Sequence, residues 1–181
     1  MRPTETLVEE HRIILVVLEA AEREATRIEA TAKVDNPRLE QLSDFFRNFA
    51  DACHHRKEEE HLFKLLKKKP PLRGPVAVML QEHEMGRGFL RSVKEGLAAW
   101  AQGNPAGAMQ VVEGLRSYAE LLRAHIDKEN QVLFPMADRV LTPAEQEQLT
   151  VTFERVEKEE VGEGVHEQYH RMALQLAEGK P

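Results

Sequence analysis

Two short stretches of this chain carry a histidine and a glutamate four residues apart: His54-His55-Arg56-Lys57-Glu58 and His125-Ile126-Asp127-Lys128-Glu129. Superposed without a gap, they also match at Lys57 with Lys128 and at Leu62-Phe63 with Leu133-Phe134. On a helix this step places an imidazole and a carboxylate one above the other on the same face, so each stretch offers two metal ligands at once. His55 and Glu59 have the same spacing. The periodicity of Phe45, Ala52, Phe63 and Leu66 favours that second pair, whereas the internal echo favours His54 with Glu58, and the echo is followed here. His55 is then an outer partner or an additional ligand.

The elements that must position these residues are helices. Ala, Leu, Glu, Arg and Lys fill long stretches and Gly and Pro gather at a few breaks, with no convincing strand. A first helix is expected from about Thr4 to Ala32, with Leu7, His11, Ile14, Leu18, Ala21, Ala25 and Ile28 recurring at three and four. Asn36-Pro37 reads as a cap followed by proline in the first turn, opening a second helix to about Lys69. After Pro70-Pro71, a third helix carries Val76, Met79, Leu80, His83, Leu90, Val93 and Leu97 on one face and stops at Gly103. Asn104-Pro105 opens a fourth, bearing Leu115, Tyr118, Leu122, His125, Glu129 and Val132, which Pro135 should kink or end. Thr142-Pro143-Ala144-Glu145 has the form of a capping box for a fifth helix, and a last segment follows around His166 to Ala177.

Short connections between long helices imply antiparallel neighbours: an all-α, up-down-up-down four-helix bundle over 1–140, with a C-terminal helical extension over 141–181 packed on it. In such a bundle the starts of helices one and three share an end with the finishes of helices two and four. At about 1.5 Å per residue, His11 and His83 lie roughly 11 to 12 Å in from that end, and the two His-x-x-x-Glu pairs roughly 15 to 22 Å back from theirs. All four helices therefore bring candidate ligands to one half of the bundle. A lone histidine on an apolar face is more often a hydrogen-bonded core residue, but a carboxylate inside a bundle is costly unless paired or metal-bound, and Glu58 and Glu129 both fall there.

The order His11, His54-x-x-x-Glu58, His83, His125-x-x-x-Glu129, with Gln81-Glu82-His83-Glu84-Met85-Gly86-Arg87 and Leu133-Phe134-Pro135 beside it, resembles the hemerythrin-like, HHE cation-binding family in its four-histidine, two-glutamate branch. The resemblance covers about residues 4 to 140. It implies a left-handed four-helix bundle around a non-haem di-iron centre, with His11, His54, Glu58, His83, His125 and Glu129 as metal ligands and the two glutamates bridging two iron ions that also share an oxo or hydroxo bridge. Manganese or zinc are alternatives to iron. Oxygen-carrying members place a second histidine one turn beyond the first on helix three, and here that position is Arg87. The substitution makes the two metals more alike and more accessible and favours redox reactivity or sensing, with dioxygen, nitric oxide or peroxide as the small ligand bound, over reversible oxygen transport.

Composition narrows the partners. The chain has 181 residues, with 25 Lys and Arg against 31 Asp and Glu. The resulting net charge of −6 excludes the basic footprint of a nucleic-acid binder. Nothing reads as a signal peptide or membrane span, so a cytoplasmic protein is expected. The lone cysteine, Cys53, excludes an intramolecular disulfide and reads as a small buried residue. The lysine run 67–69 reads as a helix C-terminal charge complement. No nucleophile with its base and no phosphate loop is present, so any catalysis belongs to the metal. The alternatives to a small-ligand binder are a di-iron redox enzyme acting on peroxide or nitric oxide or repairing iron-sulfur centres, with a redox partner protein, and a metal-stapled interaction protein. His166, beyond the glycines at 162 and 164, is a further candidate ligand, against the plainer reading of an amphipathic cover carrying Phe153, Val156, Tyr169, Met172 and Leu176.

Overall fold

Apolar residues stepped at three and four produce six helices and, among the described residues, no strand. The computed structural model describes residues 1–162 and 164–178, without the side chains of residues 160 and 161. Helix α1 is Pro3–Thr31; Pro3 occupies its first turn, where a missing N–H costs nothing, and Ala32 ends it in the left-handed region at φ 51°. The cap of the second helix is Asp35 rather than the expected Asn36: its carboxylate accepts from the Arg38 N–H at 3.2 Å. This helix, α2, spans 36–66. It is α-helical over Asn36–Phe45, widens to π-helical turns over Phe46–His55 and Glu58–Leu62, and closes as α-helix over Phe63–Leu66.

Pro70 and Pro71 break the chain in a single tight turn before α3, Arg73–Ala101. The fourth helix, α4, spans 106–140, and Asn104 accepts from the Ala106 N–H at its start. It neither kinks to a stop nor ends at Pro135. A π-helical turn over Glu129–Leu133 precedes the proline, which then falls in the first turn of the renewed α-helix Phe134–Val140, where no N–H is required. Helix α5 spans 143–162 behind the expected Thr142–Glu145 capping box, and α6 is Val165–Ala177. Lys69, from the lysine run, ion-pairs with Glu145 at 3.0 Å across to α5.

The start of α1 lies against the end of α4: Thr4 Oγ1 donates to Asp138 at 2.8 Å and Arg2 pairs with the same carboxylate. At that end Leu7, Phe63, Leu66, Leu72, Met79, Leu133 and Ala137 form one apolar cluster, which α5 closes with Leu149 and Phe153. A second, larger cluster fills the other half with Ile14, Leu18, Leu42, Phe45, Val93, Val111 and Leu115. Helix α6 covers its flank with Tyr169, Ala173 and Leu176, and the Tyr169 hydroxyl donates to Asp44 at 2.9 Å. Helices α3 and α4 approach closely where a Cβ on Gly107 would stand 2.4 Å from the Gly96 carbonyl oxygen. Between the two apolar clusters, on all four long helices, lies a buried polar layer.

Candidate metal centre

Four helices lower histidines into this layer, each between an apolar residue of one cluster and an apolar residue of the other: His11 between Leu7 and Ile14, His83 between Met79 and Val93, and His125 with Glu129 between Leu122 and Leu133. His54 and Glu58 come from α2 between Ala50 and Leu62. All six predicted residues are buried and meet. Glu58 sets one carboxylate oxygen 3.5 Å from His54 Nε2 and the other 3.4 Å from His83 Nε2. Glu129 does the same on the opposite side, 3.2 Å from His11 Nε2 and 3.3 Å from His125 Nε2. Each carboxylate thus spans two half-sites, one built on His11 and His54 and the other on His83 and His125.

His55 joins the second half-site, with its ring stacked on His83 at 3.9 Å between centroids. Two groups of potential ligand atoms result, His11, His54, Glu58 and Glu129 in one and His55, Glu58, His83 and His125 in the other, each within 4.8 Å. The choice between His54 and His55 therefore dissolves: both face inward, because the π-helical stretch narrows the angle between successive side chains. Glu59 does not enter the layer. The two halves are consequently unlike, contrary to the expectation drawn from Arg87, since one has three imidazoles and the other two.

Each histidine is fixed from behind through Nδ1. Glu10 on α1 holds His54 on α2 at 2.8 Å, Glu59 on α2 holds His83 on α3 at 2.7 Å, Glu82 on α3 holds His125 on α4 at 2.9 Å, and Asn130 on α4 holds His11 on α1 at 2.8 Å. The relay closes around the bundle. His55 has its own acceptor, Asp51, at 3.3 Å. With Nδ1 engaged, every ring presents Nε2 to the interior, the arrangement that orients metal-bound imidazoles. The sequence reading missed these acceptors, although each of the four in the ring stands next to a ligand in the chain: Glu10 before His11, Glu59 after Glu58, Glu82 before His83, Asn130 after Glu129.

The donor set fits cations. Both oxygens of Glu58, both of Glu129 and Nε2 of His11 are buried without a hydrogen-bond partner, a cost that a cation between them removes. Burial and then the charge of Glu129 push the Glu58 carboxyl well above its ordinary range. Burial would raise Glu129 too, but His125 and His11 hold it well below. Two facing buried carboxylates cannot both ionise cheaply without positive charge. Burial lowers His54 and His55 to about 4 and His83 to about 3, so these rings are neutral near pH 7, as ligands must be. Cys53 is buried outside the donor groups, and its thiol is pushed up to about 12, chiefly by burial.

Two residues singled out in the sequence beside these six, Arg87 and the candidate ligand His166, have definite places. Arg87 lies outside the layer and binds Asp51 and Glu59, the acceptors behind His55 and His83. His166 does not reach the inner donors: its Nε2 is 3.7 Å from Glu10, behind His54.

An all-α bundle enclosing two adjoining histidine and carboxylate sets around shared glutamates defines a cation-binding helical protein. The hemerythrin HHE cation binding domain matches residues 2–137, and the chain belongs to that family. It is also 24% identical, over 159 residues, to uncharacterized proteins of Mycobacterium bovis and Mycobacterium tuberculosis. These alignments cover 88% of this chain and 62% of each relative, so the chain spans under two thirds of their length. No solved structure matches. Among the described residues, no helix is long and apolar enough to cross a membrane.

Proposed function

We propose that the layer holds two iron ions, one on His11 and His54 and the other on His83, His125 and His55, bridged by Glu58 and Glu129, and that this cytoplasmic protein binds or senses dioxygen, nitric oxide or peroxide there. The observation that carries the reading is the convergence of four partnerless buried carboxylate oxygens on five rings whose Nδ1 atoms are already held. Imidazole and carboxylate donors without thiolate suit iron or manganese better than copper(I) or a structural zinc. When bound, the metals would supply redox capacity and a coordination position for a small ligand. The protein supplies five imidazoles fixed through Nδ1, two shared carboxylates and exclusion of bulk water.

Small ligands are favoured by the space available. Beside His55 and His83 lies a void of 10 Å³ lined also by Gly86, Arg87, Leu90 and Tyr118, room for about one water-sized molecule rather than an organic substrate. Metal analysis of the purified protein should find two irons per chain, with an oxidised-minus-reduced optical difference in the near ultraviolet. Glu58→Ala and Glu129→Ala should each lose both; unchanged iron in the two variants contradicts the reading. Mixing the reduced protein with dioxygen, nitric oxide or peroxide then separates the uses. A stable spectral change supports binding, and repeated return to the ferric spectrum with loss of oxidant assigns redox turnover instead.

A further inference from the structure

The internal echo gives each half of the centre the same outer chain of contacts, and only one of the two is covered. On α4, Lys128 ion-pairs with Glu82, the carboxylate behind His125. On α2 its counterpart Lys57 ion-pairs with Glu10, the carboxylate behind His54. There the likeness stops. Lys128 keeps 42% of its side chain exposed, whereas Lys57 has none, because the C-terminal arm of α5 and α6 lies over it. Glu157 of α5 reaches Lys57 Nζ at 2.5 Å, Phe153 sets its ring 5.9 Å from the same ammonium, and His166 of α6 stands behind Glu10. This arm lies beyond residues 2–137, the span of the family match.

A buried ammonium between two carboxylates has fewer ways to move than an exposed one with a single partner, since releasing it would strand charge in a low-dielectric interior. The restraint passes along contacts: Glu157 fixes Lys57, Lys57 fixes Glu10, and Glu10 fixes the ring of His54. No such brace reaches His125 among the described residues. We propose that Glu157, through Lys57 and Glu10, is a positioning residue for the His11 and His54 half-site, so that the docked arm slows release of metal from that half and not from the other. This rests on the two-metal reading above.

The test uses the full chain loaded with ferrous iron under anaerobic conditions and follows transfer to a chromogenic ferrous chelator. Lys57 is unsuited to substitution, because its loss leaves the buried Glu10 carboxylate without its ammonium partner. Glu157 is one-third exposed and tolerates change. In Glu157→Ala, one of the two irons should leave about ten times faster than in the unaltered protein while the other keeps its rate, in line with the about 10- to 100-fold cost of removing outer partners of a ligand. Glu157→Asp should recover part of the slow release. Glu159→Ala, which removes the same charge from an exposed position on the same helix, should change nothing.

Equal acceleration of both irons would reduce the arm to general stabilisation and overturn the proposal, as would unchanged release in Glu157→Ala. In either case two irons in the unaltered protein leave the function above standing. An unaltered protein that binds no iron overturns both.

Discussion

Arg87 stands on α3 one turn beyond His83, and its guanidinium, besides pairing with the exposed Glu84 through Nη1, reaches two carboxylates on α2: Nε to Asp51 at 3.0 Å and Nη2 to Glu59 at 2.7 Å. Those carboxylates orient His55 and His83. The planar fork aims separate N–H groups at the two in fixed directions, a geometry that a flexible lysine at this position does not reproduce, so Arg87→Ala and Arg87→Lys should both weaken metal binding in the half with three imidazoles, by about 10- to 100-fold. Chelator competition measures this, and wild-type affinity in both variants would show the clamp to be idle. His54, Glu58, His125 and Glu129 were legible in the sequence because a four-residue spacing occurring twice is conspicuous, and His11 and His83 because they fall on apolar helix faces at the matching depth. His55 was legible only as a rival to His54 or an additional ligand, since its angular position depends on a π-helical turn that has no sequence signature, and counting at 3.6 residues per turn forces a choice between neighbours. The acceptors were hidden for another reason. Glu10 adjoins His11 in sequence but serves His54, so only the packing of α1 against α2 reveals its partner.

At the scale of elements, the echo between α2 and α4 extends to α1 and α3, whose Glu10-His11 and Glu82-His83 play equivalent parts. Phe63 covers His83 and Phe134 covers His11 with near-parallel rings, and a π-helical turn opens at Glu58 and another at Glu129. The helices themselves were readable from periodicity, proline and capping residues. The closeness of α3 and α4 was not, because glycines such as Gly107 read as weak helix formers until the facing backbone is known. In Gly107→Ala the added methyl meets the Gly96 carbonyl oxygen and the Trp100 backbone nitrogen, neither of which can rotate away. Overpacking of this kind costs about 1–3 kcal/mol, which lowers Tm by roughly 2–4 °C per kcal/mol in a chain of this size. The crossing lies roughly 20 Å along α3 from His83, so iron content should stay at the wild-type level. A Tm at or above that of the unaltered protein would show that the helices part without cost.

For the whole molecule, the polar layer makes stability, protons and metal one linked problem. In the metal-free protein His54 and His55 titrate at about 4 and His83 at about 3, pushed down first by burial, against about 6.5 in an unfolded chain. Between about 6.5 and 4 the unfolded chain therefore takes up protons that these rings refuse, and stability falls as pH falls through that window. Glu58 and His125 act oppositely. Both are raised, Glu58 by burial and by Glu129, and His125 by Glu129 and Glu82 against the effect of burial, so the proton each holds in the fold is a source of stability lost as pH rises. Urea midpoints of the metal-free protein should thus trace a dome, declining toward acid below about 6.5 and also toward base. A cation between Glu58 and Glu129 does the work of the missing proton, and saturation at about 1,000 times its dissociation constant adds about 4 kcal/mol. With iron present, the alkaline decline should disappear and the acid decline should steepen, because protonated imidazoles release metal as well as unfold. A metal-free midpoint that stays flat between about pH 6.5 and 4 would mean that the buried rings are not held neutral by the fold, and the layer would then lack the charge state that two metals require.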